Sequence, residues 1–131
     1  MKSVVLIFQA MPPITTHVLD TAKGIPAVGM RITLDRECGE PNSLIVPTLT
    51  WERIGETTTN SDGRGPQLSE SLILESGMYR TIFYTQDYFE RQGTPTFYPY
   101  VELIFRIVDP SQHYHIPLLI SPYGFSTYRG S

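Results

Sequence analysis

Apolar and polar residues alternate with a period of two along much of the chain. In "AVGMRITLDR", Val28, Met30, Ile32 and Leu34 share one face of an extended segment, opposite Gly29, Arg31, Thr33 and Asp35. That pattern predicts a half-buried strand with its apolar face inward. "YVELIFRIV" sets Val101, Leu103, Phe105 and Ile107 on a common face, and "MYRTIFYT" is rich in aromatic and β-branched residues, which suit a pleated surface. "TLTWERI" around Trp51, "HYHIPLLI" and "GFSTYRG" supply further strand candidates. Pro117 lacks a backbone donor, so its strand should place it at an edge, an end or a bulge.

One segment reads as helix. "TQDYFERQG" offers Thr85 as N-cap, Asp87 in the first turn and Gly93 as the stop, with Pro95 beyond, allowing about two turns. The 11 prolines and 10 glycines punctuate the strand candidates as they do in sandwiches and barrels. "NSDGRG" and "AKGIPA" carry turn chemistry, and "RECGEPNSLIVP" (36–47) reads as a long loop. The expected fold is all-β: one domain over 1–131, a two-sheet antiparallel β-sandwich of about eight strands with one short helix. "MKSVVLIFQAM" has one Lys and an apolar run too short to span a membrane. Phe8 and Ala10 make a poor small-x-small cleavage site, so 1–11 is expected to be an N-terminal arm or strand.

Composition narrows the function classes. Apolar residues make up 40% of the 131 and charged residues 18%, as in globular domains. A net charge of −3 argues against a nucleic-acid partner, which needs clustered cations. Nothing in the pattern calls for a membrane partner. The lone cysteine, Cys38, forms no internal disulfide and is expected to be inert.

The chemistry rests on the three histidines. His113 and His115 share a face of a regular strand, but no Cys or carboxylate stands at ligand spacing, so no metal and no cofactor is expected. There is no G-x-S-x-G elbow, Cys–His signature or phosphate loop, and an acyl-enzyme is not signalled. In "ITTHVLDT", Thr15, His17 and Leu19 oppose Ile14, Thr16 and Val18. With Ile14 and Val18 in the core, His17 looks outward between hydroxyls. His115, Pro117 and Leu119 similarly oppose Tyr114, Ile116 and Leu118, while Ser126, Tyr128 and Gly130 oppose Phe125, Thr127 and Arg129. Periodicity does not say whether these faces meet.

"PPITTHVLDTAKGIPA", "TNSDGR" and "HYHIPLLISPYGFSTYRGS" resemble the transthyretin-related family over Pro12 to Ser131. The His-Tyr-His and the final Tyr-Arg-Gly-Ser resemble its enzymatic branch, which hydrolyses 5-hydroxyisourate. Hormone-carrying transthyretins share an "LLxSPYxxST"-like segment without those histidines or that ending. The resemblance implies a two-sheet sandwich of eight strands, a homotetramer built as a dimer of dimers, and clefts between dimers that take a small-molecule substrate. It implies catalytic roles for His17, Arg64, His115 and Ser131, and substrate contacts from Tyr128, Gly130 and Arg129. On a regular strand Arg129 faces away, which fits a structural ion pair equally well. His113 is expected behind the site or in solvent, while Thr15 and Leu19 line the cleft or merely share the strand face. The 36–47 segment is longer than the resemblance leads one to expect.

The implied reaction is opening of the 5-hydroxyisourate ring by water during urate breakdown. His17 and His115 would activate the water, Arg64 would bind developing negative charge, and Ser131 would offer its hydroxyl and carboxylate. The implied setting is cytoplasmic or peroxisomal. The alternatives are a transthyretin-like carrier of an aromatic ligand in a tetramer channel, and a β-sandwich interaction module.

Overall fold

The structure is a computed structural model and describes residues 12–39 and 49–130. The expected arm at 1–11, most of the 36–47 loop and Ser131 lie outside the described residues. Eight strands and one helix are described: β1 (Ile14–Asp20), β2 (Ile25–Pro26), β3 (Arg31–Glu37), β4 (Trp51–Thr58), β5 (Gly77–Phe83), α1 (Thr85–Glu90), β6 (Val101–Ile107), β7 (Tyr114–Ser121) and β8 (Gly124–Thr127). They form two four-stranded sheets, β2-β1-β7-β8 and β4-β3-β5-β6.

The inward faces follow the alternation. Ile14, Val18, Leu118 and Ile120 from one sheet meet Ile32, Leu34, Tyr79, Phe83, Val101 and Ile107 from the other, all essentially inaccessible to water. Each such side chain contributes about 1.5–3 kcal/mol by leaving solvent. The expected inner face of β6 holds at its ends, while Leu103 and Phe105 are partly buried against the core. Val28 departs from its strand pattern: it precedes β3 and is exposed.

Three further expectations, about sheet direction, β3 and the helix start, need correction. The first sheet is mixed, because β1 and β7 run parallel in the register Thr15↔His115, His17↔Pro117. β3 is buried on both faces, since Thr33 and Asp35 are as inaccessible as the core. The Arg53 and Arg80 guanidiniums reach Asp35 at 3.0 and 2.7 Å, and the Trp51 ring lies 4.5 Å from Arg80, so a charge cluster roofs the polar face. Finally, Thr85 is the first helical residue and not the cap. Tyr84 holds the cap position without a side-chain bond, and the Thr85 hydroxyl donates instead to the Tyr98 carbonyl at 3.4 Å. The helix gives way to the expected Gly93, left-handed at φ +68°.

Tyr88 pins the helix to the first sheet by donating to the buried Asp20 carboxylate at 2.8 Å. Burial, reinforced by that carboxylate, pushes the Tyr88 phenol up to about 12.

Pro117 shapes the edge next to the site. It sits within β7, an inner strand, so of the edge, end or bulge expected the first two do not hold, and the interrupted pairing beside it takes their place. Tyr114 donates toward β1 through Pro13, whereas the His115 carbonyl accepts from Gly130 on the β8 side. Alternation therefore turns the Pro117 nitrogen toward β8. The β7–β8 ladder stops at Leu118↔Thr127, Tyr128 and Arg129 leave the sheet, and the chain returns at an isolated His115↔Gly130 bridge. The missing donor supplies the interruption. No helix among the described residues is long and apolar enough to cross a membrane.

Candidate active site

The site begins with strand parity. Along β1, Ile14, Thr16, Val18 and Asp20 are buried, while Thr15, His17 and Leu19 are half-buried on the outer face. Parallel pairing brings His115 opposite Thr15, and paired residues point the same way, so β7 adds an imidazole to the same face.

A turn adds the guanidinium. The Asn60 side-chain oxygen accepts from the backbone of Asp62 at 3.0 Å and of Arg64 at 3.1 Å, the self-bonding that suits Asn to turns. The Asn60 and Gly63 backbones close the loop at 2.9 Å each, and the Gly63 carbonyl accepts from Val18 at 2.8 Å. His17 and Arg64 thereby form a β-bridge. Arg64 is exposed and has no carboxylate partner among the described residues. Beside it a pocket of about 200 Å³ is lined by Thr15, Thr16, Asn60, Arg64, Gly65 and Gln67, among others.

The C-terminal segment closes another side. Gly130 donates to the His115 carbonyl at 2.9 Å, and a Cβ on Gly130 would collide with the His115 ring. Gly130→Ala should therefore lower turnover by about tenfold or more through a displaced imidazole, with little change in melting temperature. Unchanged kinetics would mean that the ring does not need this close approach.

His115 is also held from β1. The Thr15 hydroxyl lies 2.8 Å from His115 Nδ1 and 2.9 Å from His113 Nε2, and the two rings stack with centroids 6.5 Å apart. Burial, then the charges of Arg64, His113 and His17, hold the His115 imidazole below its ordinary 6.5. A neutral base works above its pKa, so the acid limb of activity should fall below pH 6.5. Arg64→Gln should move the His115 NMR titration midpoint upward; an unmoved midpoint would exclude the guanidinium as a cause. The same depression makes the unfolded chain bind this proton first as pH falls below 6.5, so the group's contribution to stability is lost downward from there.

His17, Arg64, His115 and Gly130 are thus brought together. Arg129 is not with them: its guanidinium lies 4.5 Å from the Tyr114 ring centroid and donates to the Gln112 side-chain oxygen at 2.9 Å. With Tyr128 it lines a separate cleft of about 360 Å³ against Glu102, Phe105 and Tyr114. Thr15 is drawn into the site, and so is His113. Their link depends on the parallel pairing of segments 100 residues apart, which no local pattern signals. Among the described residues no three of His, Cys, Asp and Glu gather as metal ligands.

Comparisons with known proteins identify the family and the fold. The sequence profile of the HIUase/Transthyretin family matches residues 14–130. The 5-hydroxyisourate hydrolase of Mus musculus is 43% identical over 119 residues, covering 91% of this chain and 95% of that protein. The solved Klebsiella pneumoniae 5-hydroxyisourate hydrolase superposes with a TM-score of 0.73 at 33% identity, over 90% of this chain and 92% of that one. Sea bream transthyretin in complex with thyroxine gives a TM-score of 0.79 at 25% identity, over 90% and 94%. The same backbone thus serves a hydrolase in one relative and a thyroxine complex in another, and the side chains must separate them. Matched from β1 to the bridge at Gly130, the chain belongs to the HIUase/transthyretin family.

Proposed function

We propose that the protein hydrolyses 5-hydroxyisourate to 2-oxo-4-hydroxy-4-carboxy-5-ureidoimidazoline, a step of urate degradation. The observation that carries this reading is the convergence of His17, Arg64 and His115 on one outer sheet face. The similarity to the mouse and Klebsiella hydrolases supports it.

Water adds to a ring carbonyl and gives a proton to a neutral histidine. The carbonyl oxygen takes up negative charge, which the Arg64 guanidinium stabilises with its fork of donors. When the ring C–N bond breaks, the departing nitrogen takes a proton from a histidine, and no net proton is consumed. His17 and His115 share these two transfers. Ser131, the residue after the Gly130 bridge, offers a hydroxyl to the substrate. Gly130 lets the backbone approach the imidazole, whereas Tyr128 lines the neighbouring cleft beside Arg129. Arg129, turned onto Tyr114, serves the edge next to the site.

The assembly we favour is a homotetramer, a dimer of dimers, that covers the open sheet face and turns it into a cleft. Edge strands β6 and β8 line a common cleft and expose Ile104 and Phe125, with Phe97, Tyr123 and Tyr128 nearby in sequence. Sedimentation at a tetramer mass is the expected result, and a monomer at micromolar concentration would count against it.

Freshly generated 5-hydroxyisourate, followed by its ultraviolet absorbance, tests the activity. Decay well above the spontaneous rate is expected. The second reading, a carrier of an aromatic ligand, draws on the superposition with the thyroxine-bound transthyretin. No acceleration together with tight aromatic-ligand binding would favour that reading.

A further inference from the structure

We infer that Thr15 is a positioning residue that fixes the tautomer of His115, with His113 as the other end of the same hydrogen-bond chain; this rests on the hydrolase reading above. One hydroxyl lies within 2.9 Å of a nitrogen on each ring. It has a single proton, so it donates to one imidazole and accepts from the other. The two ring tautomers are therefore tied together through Thr15.

Only two arrangements of neutral rings satisfy all three groups. In one, His113 Nε2–H donates to Thr15, and Thr15 donates to His115 Nδ1. The His115 proton then sits on Nε2, and the ring has no lone pair to accept a proton from water. In the other, His115 Nδ1–H donates to Thr15, Thr15 donates to His113 Nε2, and the His115 Nε2 lone pair is open. General-base work at His115 requires the second arrangement.

The surroundings leave Nε2 as the working atom. Thr15 occupies the Nδ1 side, and Gly130 packs against the Cβ, Cγ and Cδ2 edge of the ring. No hydrogen bond to Nε2 is made among the described residues. Among the described residues, the groups that bear electrostatically on the ring are Arg64, His113 and His17, none of them an acid. A neutral hydroxyl thus orients this imidazole where many other sites use a carboxylate. The proton captured at Nε2 is accordingly held weakly and released readily to the departing nitrogen. In that transfer the Nδ1–H bond to Thr15 persists, so the chain is intact before and after turnover.

The test pairs kinetics with a readout that needs no substrate. In ¹⁵N-labelled protein without substrate, above the titration of its histidines, two-bond ¹⁵N–¹H couplings should show His115 protonated at Nδ1 and bare at Nε2. Thr15→Val keeps the shape and removes the hydroxyl. It should shift His115 toward the Nε2–H form and lower kcat by about 10- to 100-fold, within the reach of positioned acid–base catalysis, with KM little changed. Thr15→Ser should restore both the tautomer and most of kcat. The amide spectra of the same samples report folding. A wild-type His115 protonated at Nε2, a Thr15→Val protein with unaltered tautomer and kcat, or a Thr15→Ser protein no better than Thr15→Val would each overturn the inference. Failure of wild-type protein to hydrolyse 5-hydroxyisourate would remove the reaction, while the couplings would still decide what Thr15 does to His115.

Discussion

His115→Ala is expected to lower kcat for 5-hydroxyisourate by about 10²- to 10⁴-fold, the span of a positioned acid–base group. The protein should stay folded and keep its assembly state. His115 is half-buried on the outer face of β7, so its truncation opens no cavity among the core side chains. It frees the Thr15 hydroxyl, which keeps His113 as a partner at 2.9 Å. His17→Ala should act similarly, because His17 stands on the same face one strand pair away from His115. Arg64→Ala removes charge stabilisation instead, and its loss should appear in kcat more than in KM. Ultraviolet kinetics, sedimentation and thermal unfolding separate these effects. Near-normal turnover in any one variant removes that residue from the mechanism. Losses that multiply in the double variants, instead of saturating, would mean that the two histidines act independently and not on one water.

The elements that were legible in the sequence are those fixed by short-range parity. "ITTHVLD" and "HYHIPLL" state which residues face out, and the structure places His17 and His115 outward accordingly. Parity does not give direction, however. The same strings satisfy an antiparallel or a parallel neighbour, and the parallel β1–β7 ladder is decided by how the chain crosses between sheets. Without that ladder, Thr15 and His113 have no visible connection to His115.

The burial of Asp35 was hidden for a related reason. Its neighbours Arg53 and Arg80 come from strands 18 and 45 residues away, and only their convergence turns a polar face into a covered one. Arg64 is a different case. Its turn is legible from "NSDGR", but the contact with His17 arises because Gly63 hydrogen-bonds to β1. The enzyme and the carrier reading also separate here, since the shared backbone supports either and the turn with its guanidinium supports catalysis.

Gly63→Ala should therefore disable the protein twice, in stability and in turnover. Gly63 has φ +78°, a conformation that costs a side-chain-bearing residue about 1–2 kcal/mol. A Cβ there would run into the Val18 carbonyl oxygen and approach the Pro26 side chain at 3.0 Å and the His17 ring at 3.3 Å. Backbone cannot swing aside as a flexible side chain does, so the turn must lift off β1. Lifting it strains the 2.8 Å bond from Val18 to the Gly63 carbonyl, worth about 0.5–1.5 kcal/mol. The sum is about 1.5–3.5 kcal/mol, which for a domain of this size lowers the melting temperature on the order of 10 °C. The same displacement carries Arg64 away from His17, and a misplacement near 1 Å is worth about 10²-fold in rate. Gly24→Ala is the matched control. Gly24 also has a positive φ, +70°, but nothing lies within 4 Å of its Cβ position. It should show the strain alone, about 1–2 kcal/mol, with kcat intact. Equal kinetic losses in the two variants would mean that backbone strain, not the seating of the turn on β1, governs activity.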